Sequence, residues 1–277
     1  MPYILAATDF SDAADNALHY ACKLAGAAHA SLKLIHSFMI PVTFGENPMP
    51  VMPLDEGREI AEERMDSLVN ELAATYPQLT VSGQVTFGDI IDCLQEIAEE
   101  EKPLMVVLGN DGAKDDLMWL GSNTVGAMRH VKVPVLGVPT GYSYRAVKKI
   151  CYACDFKNNE DSALAEDLKH LATLAQAQLH ILYIDRNSNE SSEEQQLSME
   201  GTPLHQSLAS IDPIYHFVEK ASIEEGVDNF IKENNMDWLV IVPHKHSFLE
   251  SIFKKSHTKS LVKTTTIPLV ALHEHRQ

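Results

Sequence analysis

Residues 4–25 read ILAATDFSDAADNALHYACKLA, and residues 150–172 read ICYACDFKNNEDSALAEDLKHLA. Aligned from Ile4 and Ile150, Asp9-Phe10 falls on Asp155-Phe156 and Ala17-Leu18 on Ala163-Leu164. In each copy an apolar run of strand length breaks at an aspartate and passes into apolar residues at helical spacing. A strand feeding a helix, repeated so far along the chain, points to a duplicated α/β unit. A second anchor agrees. LGSNTVGAMRHVKVPVLGVP at 120–139 parallels KKSHTKSLVKTTTIPLVALH at 254–273, with twelve positions from Ser122 to Pro134 and twelve from Ser256 to Pro268. The chain therefore divides into domains 1–144 and 145–277, with TGYSYRAV at 140–147 as a short linker.

Between the anchors of the first half, strands and helices alternate. YILAAT is a strand, and SDAADNALHYACKLAG is a helix capped by Ser11 and stopped by Gly26. SLKLIHSF, LTVSGQVTF and VPVLGVP read as strands two, three and five. EGREIAEERMDSLVNELAATY and DIIDCLQEIAEEE read as helices, the latter capped by Asp89. PLMVVLG, residues 103–109, is apolar without alternation, as expected of a strand buried on both faces. SNTVGAMRHV supplies a short helix before strand five. The second half repeats the pattern, with a shorter and broken second helix in residues 191–211. The expected fold is α/β: two tandem doubly wound, Rossmann-like domains, each a five-stranded parallel sheet with helices on both faces.

With 277 residues, 45% of them apolar and 22% charged, the composition is that of a globular protein with an ordinary core. The net charge of −17 offers no basic field, which disfavours nucleic acid and anionic membrane as partners. The N-terminal MPYILAATDFSD lacks the basic start of a secretory signal, and no apolar run reaches membrane-spanning length. Four cysteines fit a reduced compartment better than a disulfide framework, so a cytoplasmic location is expected.

In open parallel sheets, ligands sit beyond the carboxyl ends of the strands where the strand order switches. Two segments reach that place: Thr8-Asp9 after strand one, and VVLGNDGAKDDLMWLGSN, residues 106–123, after strand four. Its glycines admit close approach of a ligand to the backbone, and the helix opening at Gly121-Ser122 offers free N–H groups at the positive end of its dipole. Ser122 adds a hydroxyl donor. That combination suits a phosphate. Asp111, Asp115 and Asp116 against the single Lys114 would repel a bare triphosphate unless Mg²⁺ intervenes or the carboxylates face solvent.

On ATDFSDAADNAL, Gly88-Asp89, MVVLG with Gly109, and GSNTVGAMRHVKVPVLGVP, the whole chain resembles the universal stress protein family in its tandem two-domain form. The resemblance implies an adenine nucleotide alpha hydrolase-like fold and a stress-response module binding ATP, with or without Mg²⁺, in the N-terminal domain. Asp9 with Thr8 would lie near the nucleoside or its metal, and Ile35 and His36 would lend backbone groups to adenine. Gly109, Gly112, Gly121 and Ser122 would surround ribose and phosphates, with Asn123 and Thr124 close by. ATP-binding members read Gly-x2-Gly-x9-Gly-Ser/Thr, whereas eight residues separate Gly112 from Gly121 here. The resemblance also implies pairing of the fifth strands, making an intramolecular pseudo-dimer. It leaves room for a homodimer of the whole chain and an unidentified protein partner.

The second copy, VIVPHKHSFLESIFKKSH at 240–257, aligns Pro243 with Gly109, His246 with Gly112 and Lys255 with Gly121, and keeps Ser256. Proline removes an N–H, so no nucleotide is expected there. Asp9 as a helix cap and the glycines as turn formers give the alternative reading, a module that interacts with proteins and binds no nucleotide. No nucleophile elbow and no Gly-Lys-Ser/Thr loop is present, so no catalytic residue is named and slow ATP hydrolysis is the most that is expected. Cys151 and Cys154, in a strand rather than at a helix start, read as structural. His244, His246, His257, His273 and His275 lack a fixed third ligand and read as surface residues, with no metal site among them.

Overall fold

A computed structural model of the chain describes residues 1–39, 54–110, 122–154, 162–185, 202–219, 223–243 and 267–273. In the first half the order is β1 (Tyr3–Ala7), α1 (Asp12–Ala27), β2 (Ser31–Phe38), α2 (Leu54–Thr75), β3 (Val81–Phe87), α3 (Ile90–Glu100), β4 (Met105–Asn110), α4 (Ser122–His130) and β5 (Val135–Pro139). The second half follows with β6 (Lys149–Cys154), α5 (Ser162–Ala175), β7 (Gln178–Asp185), α6 (Pro203–Leu208), β8 (Ile214–Glu219), α7 (Ile223–Asn234), β9 (Trp238–Ile241) and β10 (Leu269–Ala271). The strands form one sheet in the order β3-β2-β1-β4-β5-β10-β9-β6-β7-β8. Every pairing within a half is parallel, and β5 meets β10 antiparallel, Leu136 opposite Val270.

Alternation along the buried strands feeds two cores. Ile4, Ala6, Val107 and Leu136 point to the face covered by α1, α2, α5 and α6. Leu5, Ala7, Val106 and Leu108 point to the face covered by α3, α4 and α7. Because the sheet crosses the β5–β10 seam without a break, each core runs through both halves. The linker is held to this frame. Asp237 accepts the N–H groups of Lys148 and Lys149 at 2.8 and 3.0 Å and pairs with Arg145 at 2.8 Å, and Trp238 donates its indole N–H to the Tyr20 hydroxyl at 2.7 Å.

Helix starts follow the sequence. Ser11 Oγ accepts Ala14 N–H at 3.2 Å, and Asp89 Oδ1 accepts Ile91 N–H at 2.8 Å. The stop of α1 does not fall at Gly26: the helix continues to Ala27, and His29, with φ 51°, makes the left-handed turn. Gln176, with φ 52°, occupies the same place after α5. In the second half Thr202 caps the single-turn-scale helix α6, which runs on into a 3₁₀ turn at Ala209–Ile211.

Strand register corrects the alignment of the two copies. Ile4 faces Met105 and Ile150 faces Trp238, so Met105 and Trp238 occupy one station. Leu239 against Leu269 and Val106 against Val135 give the same match. Four residues beyond Met105 and Trp238, Gly109 therefore corresponds to Val242, and Asn110 to Pro243. The second copy carries one residue more than the first between this strand and Ser256, and counting back from the serine hides it.

Candidate functional site

The carboxyl ends of β1 and β4 part where the strand order reverses, and a cleft of about 310 Å³ opens there. The chain leaves β1 through a turn held by its own side chains. Thr8 Oγ1 accepts Phe10 N–H at 3.0 Å, and Asp9 Oδ1 accepts Ser11 N–H at 2.9 Å. Phe10 sits at φ 61°, a left-handed conformation uncommon for a bulky residue and stabilised here by these acceptors. The Phe10 ring centroid lies 4.4 Å from that of His36, and the Arg64 guanidinium sits over the Phe10 ring, 4.5 Å from its centroid. Thr8 is itself anchored to β2: its N–H reaches the Ile35 carbonyl at 2.9 Å, and its carbonyl meets His36 Nδ1 at 2.8 Å. A carbonyl only accepts, so Nδ1 of His36 carries the hydrogen.

On the opposite wall Thr124, buried at the start of α4, donates its hydroxyl to the Gly109 carbonyl at 3.1 Å. A Cβ on Gly109 would lie 2.4 Å from the Ala13 carbonyl oxygen and 2.9 Å from Ala14 Cα. Glycine stands here because the first turn of α1 rests directly on the end of β4. The third wall is the start of α3. Gly88, at φ 127°, receives the Ser37 hydroxyl on its carbonyl and donates its N–H to Phe38 at 3.2 Å.

Of the residues singled out from the sequence, Thr8, Asp9, Gly109, Ser122, Asn123 and Thr124 meet around the cleft. Ile35 and His36 do not line it. Ile35 is fully buried with its carbonyl engaged by Thr8, and His36 braces the turn from behind. Gly112 and Gly121 lie outside the described residues. So do His244, His246, His257 and His275. Ser37, Met39 and Ile90 line it without having been expected there, together with Ala7, Ser11, Ala13, Ala14 and Leu108 from the ends of β1 and β4 and the start of α1. The signal for Ser37 and Met39 is their place at and beyond the carboxyl end of β2; Gly88 and Asp89 stand out in the sequence as a helix start and as part of the family resemblance, without being assigned to the site.

The charged side chains among the described lining residues are Asp9 and Asp89, both exposed carboxylates. Against them stand the amino ends of α1, α3 and α4, each directed at the cleft, where the first N–H groups of a helix have no partner within it. Such a cleft accepts an anion through backbone amides and hydroxyls, and a divalent cation through its carboxylates. Among the described residues no group of three or more His, Cys, Asp or Glu side chains is placed to hold a metal ion by itself. Cys151 and Cys154 are buried and in no disulfide, and burial pushes the Cys151 thiol pKa up, which disfavours the reactive thiolate. No described helix is long and apolar enough to cross a membrane.

The model of the universal stress protein family matches the chain twice, over residues 2–139 and 146–273. Universal stress protein G of Escherichia coli O157:H7 is 31% identical over 124 residues, which are 45% of this chain and 78% of that protein. Universal stress protein Slr1230 of Synechocystis is 23% identical over 196 residues, 66% of this chain and 62% of its own. Among solved structures, a universal stress protein from Archaeoglobus fulgidus DSM 4304 has the same fold, with a TM-score of 0.70 over 98% of each chain at 17% identity.

Proposed function

The chain belongs to the universal stress protein family, in tandem form, and on that premise we propose that it is an adenine-nucleotide-responsive regulatory module with its nucleotide site in the N-terminal half. The observation that carries this reading is the cleft between the ends of β1 and β4, with the amino end of α4 and the hydroxyls of Ser122 and Thr124 on its rim. The halves divide at residues 144 and 145, and the working compartment is the cytoplasm, in keeping with four buried cysteines in no disulfide. ATP is the intended ligand. Asp9 and Asp89 make its Mg²⁺ complex the better partner than the bare anion, because a bound cation turns two repelling carboxylates into attractive groups.

Regulation would follow from differential affinity: ATP favours one arrangement of the loop between β4 and α4 and so alters the surface offered to a protein partner or a second copy of the chain. The test is direct. Protein purified without added nucleotide is denatured and the released small molecules chromatographed, and ATP with Mg²⁺ is titrated against thermal unfolding. Released adenine nucleotide and a rising Tm are expected, with the rise lost in Gly121→Val. If neither appears, the alternative holds, a protein-interaction module without nucleotide. One observation favours that alternative: packing against Ala13 already explains why residue 109 is glycine.

A further inference from the structure

On the far side of the molecule, His180 of β7 and His216 of β8 face one another beneath α7. His180 Nδ1 and His216 Nε2 are 2.9 Å apart, and the rings are nearly parallel, 13° and 5.2 Å between centroids. One hydrogen lies between them, so one ring donates and the other accepts. Phe230 of α7 meets the His216 ring at 4.6 Å and 60°, and His180 is 7% exposed. β8 is the outermost strand, so this pair ties the edge of the sheet together under its covering helix.

We propose that the His180–His216 pair is a proton-operated clasp that releases α7 and the β8 edge when the surroundings become acidic. The first added proton leaves the inner hydrogen bond in place, because the donating ring takes it on its outer nitrogen, but it puts a positive charge into a site that burial and Lys149 disfavour. The second proton has no such place. It sets N–H against N–H and places positive charge on both of two adjoining rings, so the hydrogen bond is lost and the rings repel. The neighbouring charges add to the effect. On β6, Lys149 lies two residues before Cys151, the residue in register with His180, and so shares its face; its Nζ donates to the Asn234 carbonyl at the end of α7 at 3.0 Å. On α7, Asp228 is taken by Lys232 at 2.6 Å, and Glu225 and Glu233 stand on its exposed side. Burial first, then His216 and Lys149, hold the His180 pKa down at about 4, and burial with Lys149 lowers that of His216.

The direction follows from linkage. Both groups bind protons more weakly when α7 is docked than the ordinary value of about 6.5 in an opened chain. Docking is therefore fully stabilised above that value and weakens as pH falls from it toward 4. The helix so released carries Val227, Phe230 and Ile231, a buried apolar stripe that becomes accessible. The first half contains its own control. By the same register, Lys33 and Gln84 occupy the stations of His180 and His216, and Lys33 is engaged by Glu101 at 2.8 Å. Beneath α3 these two stations hold no histidine.

Hydrogen exchange on the full chain, corrected for the intrinsic pH dependence, reads the two helices together. Between pH 7 and 5, protection of α7 is expected to fall about tenfold or more while α3 holds, and His216→Gln, which keeps an uncharged hydrogen-bonding group, is expected to flatten the response of α7. An unchanged fall in α7 in that variant, or α3 falling in step with α7, overturns the proposal. NMR titration of the two imidazoles in the unaltered protein decides independently of whether the variant folds. Two separate titrations near 6.5 overturn the clasp; His180 titrating well below that supports it.

Discussion

The two halves share every strand position, yet they fill the same stations with opposite choices. Where the first half has Gly109, the second has Val242, 2% exposed and part of the core. Where the first half has Gly83, whose missing side chain lets Met65 and Val69 of the 22-residue α2 lie on the strand, the second has Tyr215. The Tyr215 ring runs parallel to Tyr183 at 12° and its hydroxyl meets His205 Nδ1 at 2.7 Å, so aromatic rings occupy volume that a long helix fills in the first half. A doubly wound sheet specifies itself through buried alternation and tolerates either choice. What differs is how closely a helix can approach the strand ends, and that approach shapes the cleft at Gly109.

The largest expected effect breaks this contrast at its sharpest point. In Gly109→Ala the new Cβ meets backbone atoms of Ala13 at 2.4 and 2.7 Å, and backbone in a helix cannot step aside without moving the helix. Destabilisation of about 3 kcal/mol is expected by urea unfolding, together with loss of any nucleotide-dependent rise in Tm. A cost below about 1 kcal/mol would mean that α1 does not rest on β4 and that Gly109 is glycine for the sake of a ligand.

Gly83→Ala sharpens the same contrast at lower magnitude. Its Cβ would come within 2.6 Å of Met65 Cγ and Sδ, atoms at the flexible end of an unbranched side chain, and 2.9 Å of Val69 Cγ2. Methionine can swing away where a helix backbone cannot, so about 1 kcal/mol is expected in the same measurement. If the two substitutions cost alike, the distinction between yielding side chain and fixed backbone fails. Nothing comparable is expected from small changes at Tyr215, where rings already fill the space.

How much of this was legible beforehand follows from which interactions are local. The apolar run of β4, the alternation of strand and helix, and the caps Ser11 and Asp89 each depend on residues within a few positions of one another, and the sequence displays them. At the end of α1 the glycine stands inside the last turn, and His29, three residues beyond Gly26, makes the left-handed turn. Pro243 stands at the station of Asn110, one beyond that of Gly109, because the second copy's inserted residue shows only once the strands are in register. The contact between Gly109 and Ala13 spans most of a domain, and the His180–His216 pair joins two strands across a helix. Such juxtapositions belong to the packing, and no spacing rule announces them. Ile35 lies off the cleft lining for a related reason: within the sheet its carbonyl accepts the Thr8 N–H.

Thr8 and Cys154 form the last matched pair, since each stands four residues beyond its Ile4 or Ile150 anchor. Thr8 Oγ1 holds Phe10 N–H at 3.0 Å and so supports the left-handed turn beside Asp9, whereas the Cys154 thiol is directed to the Leu182 carbonyl at 3.8 Å. Thr8→Val preserves shape and burial but deletes the acceptor, and about 1 kcal/mol of stability is expected to go with it. The more telling readout is position. If the hydroxyl sets the turn, exchange at the Phe10 and Ser11 amides should quicken severalfold in Thr8→Val while the Cys154→Ser protein keeps those amides protected, because its substituted hydroxyl acts in the other half. Equal exchange in both variants would show that the turn is imposed by the packing of Phe10 between His36 and Arg64 alone, and the first-half cleft would then owe its shape to that ring column rather than to Thr8.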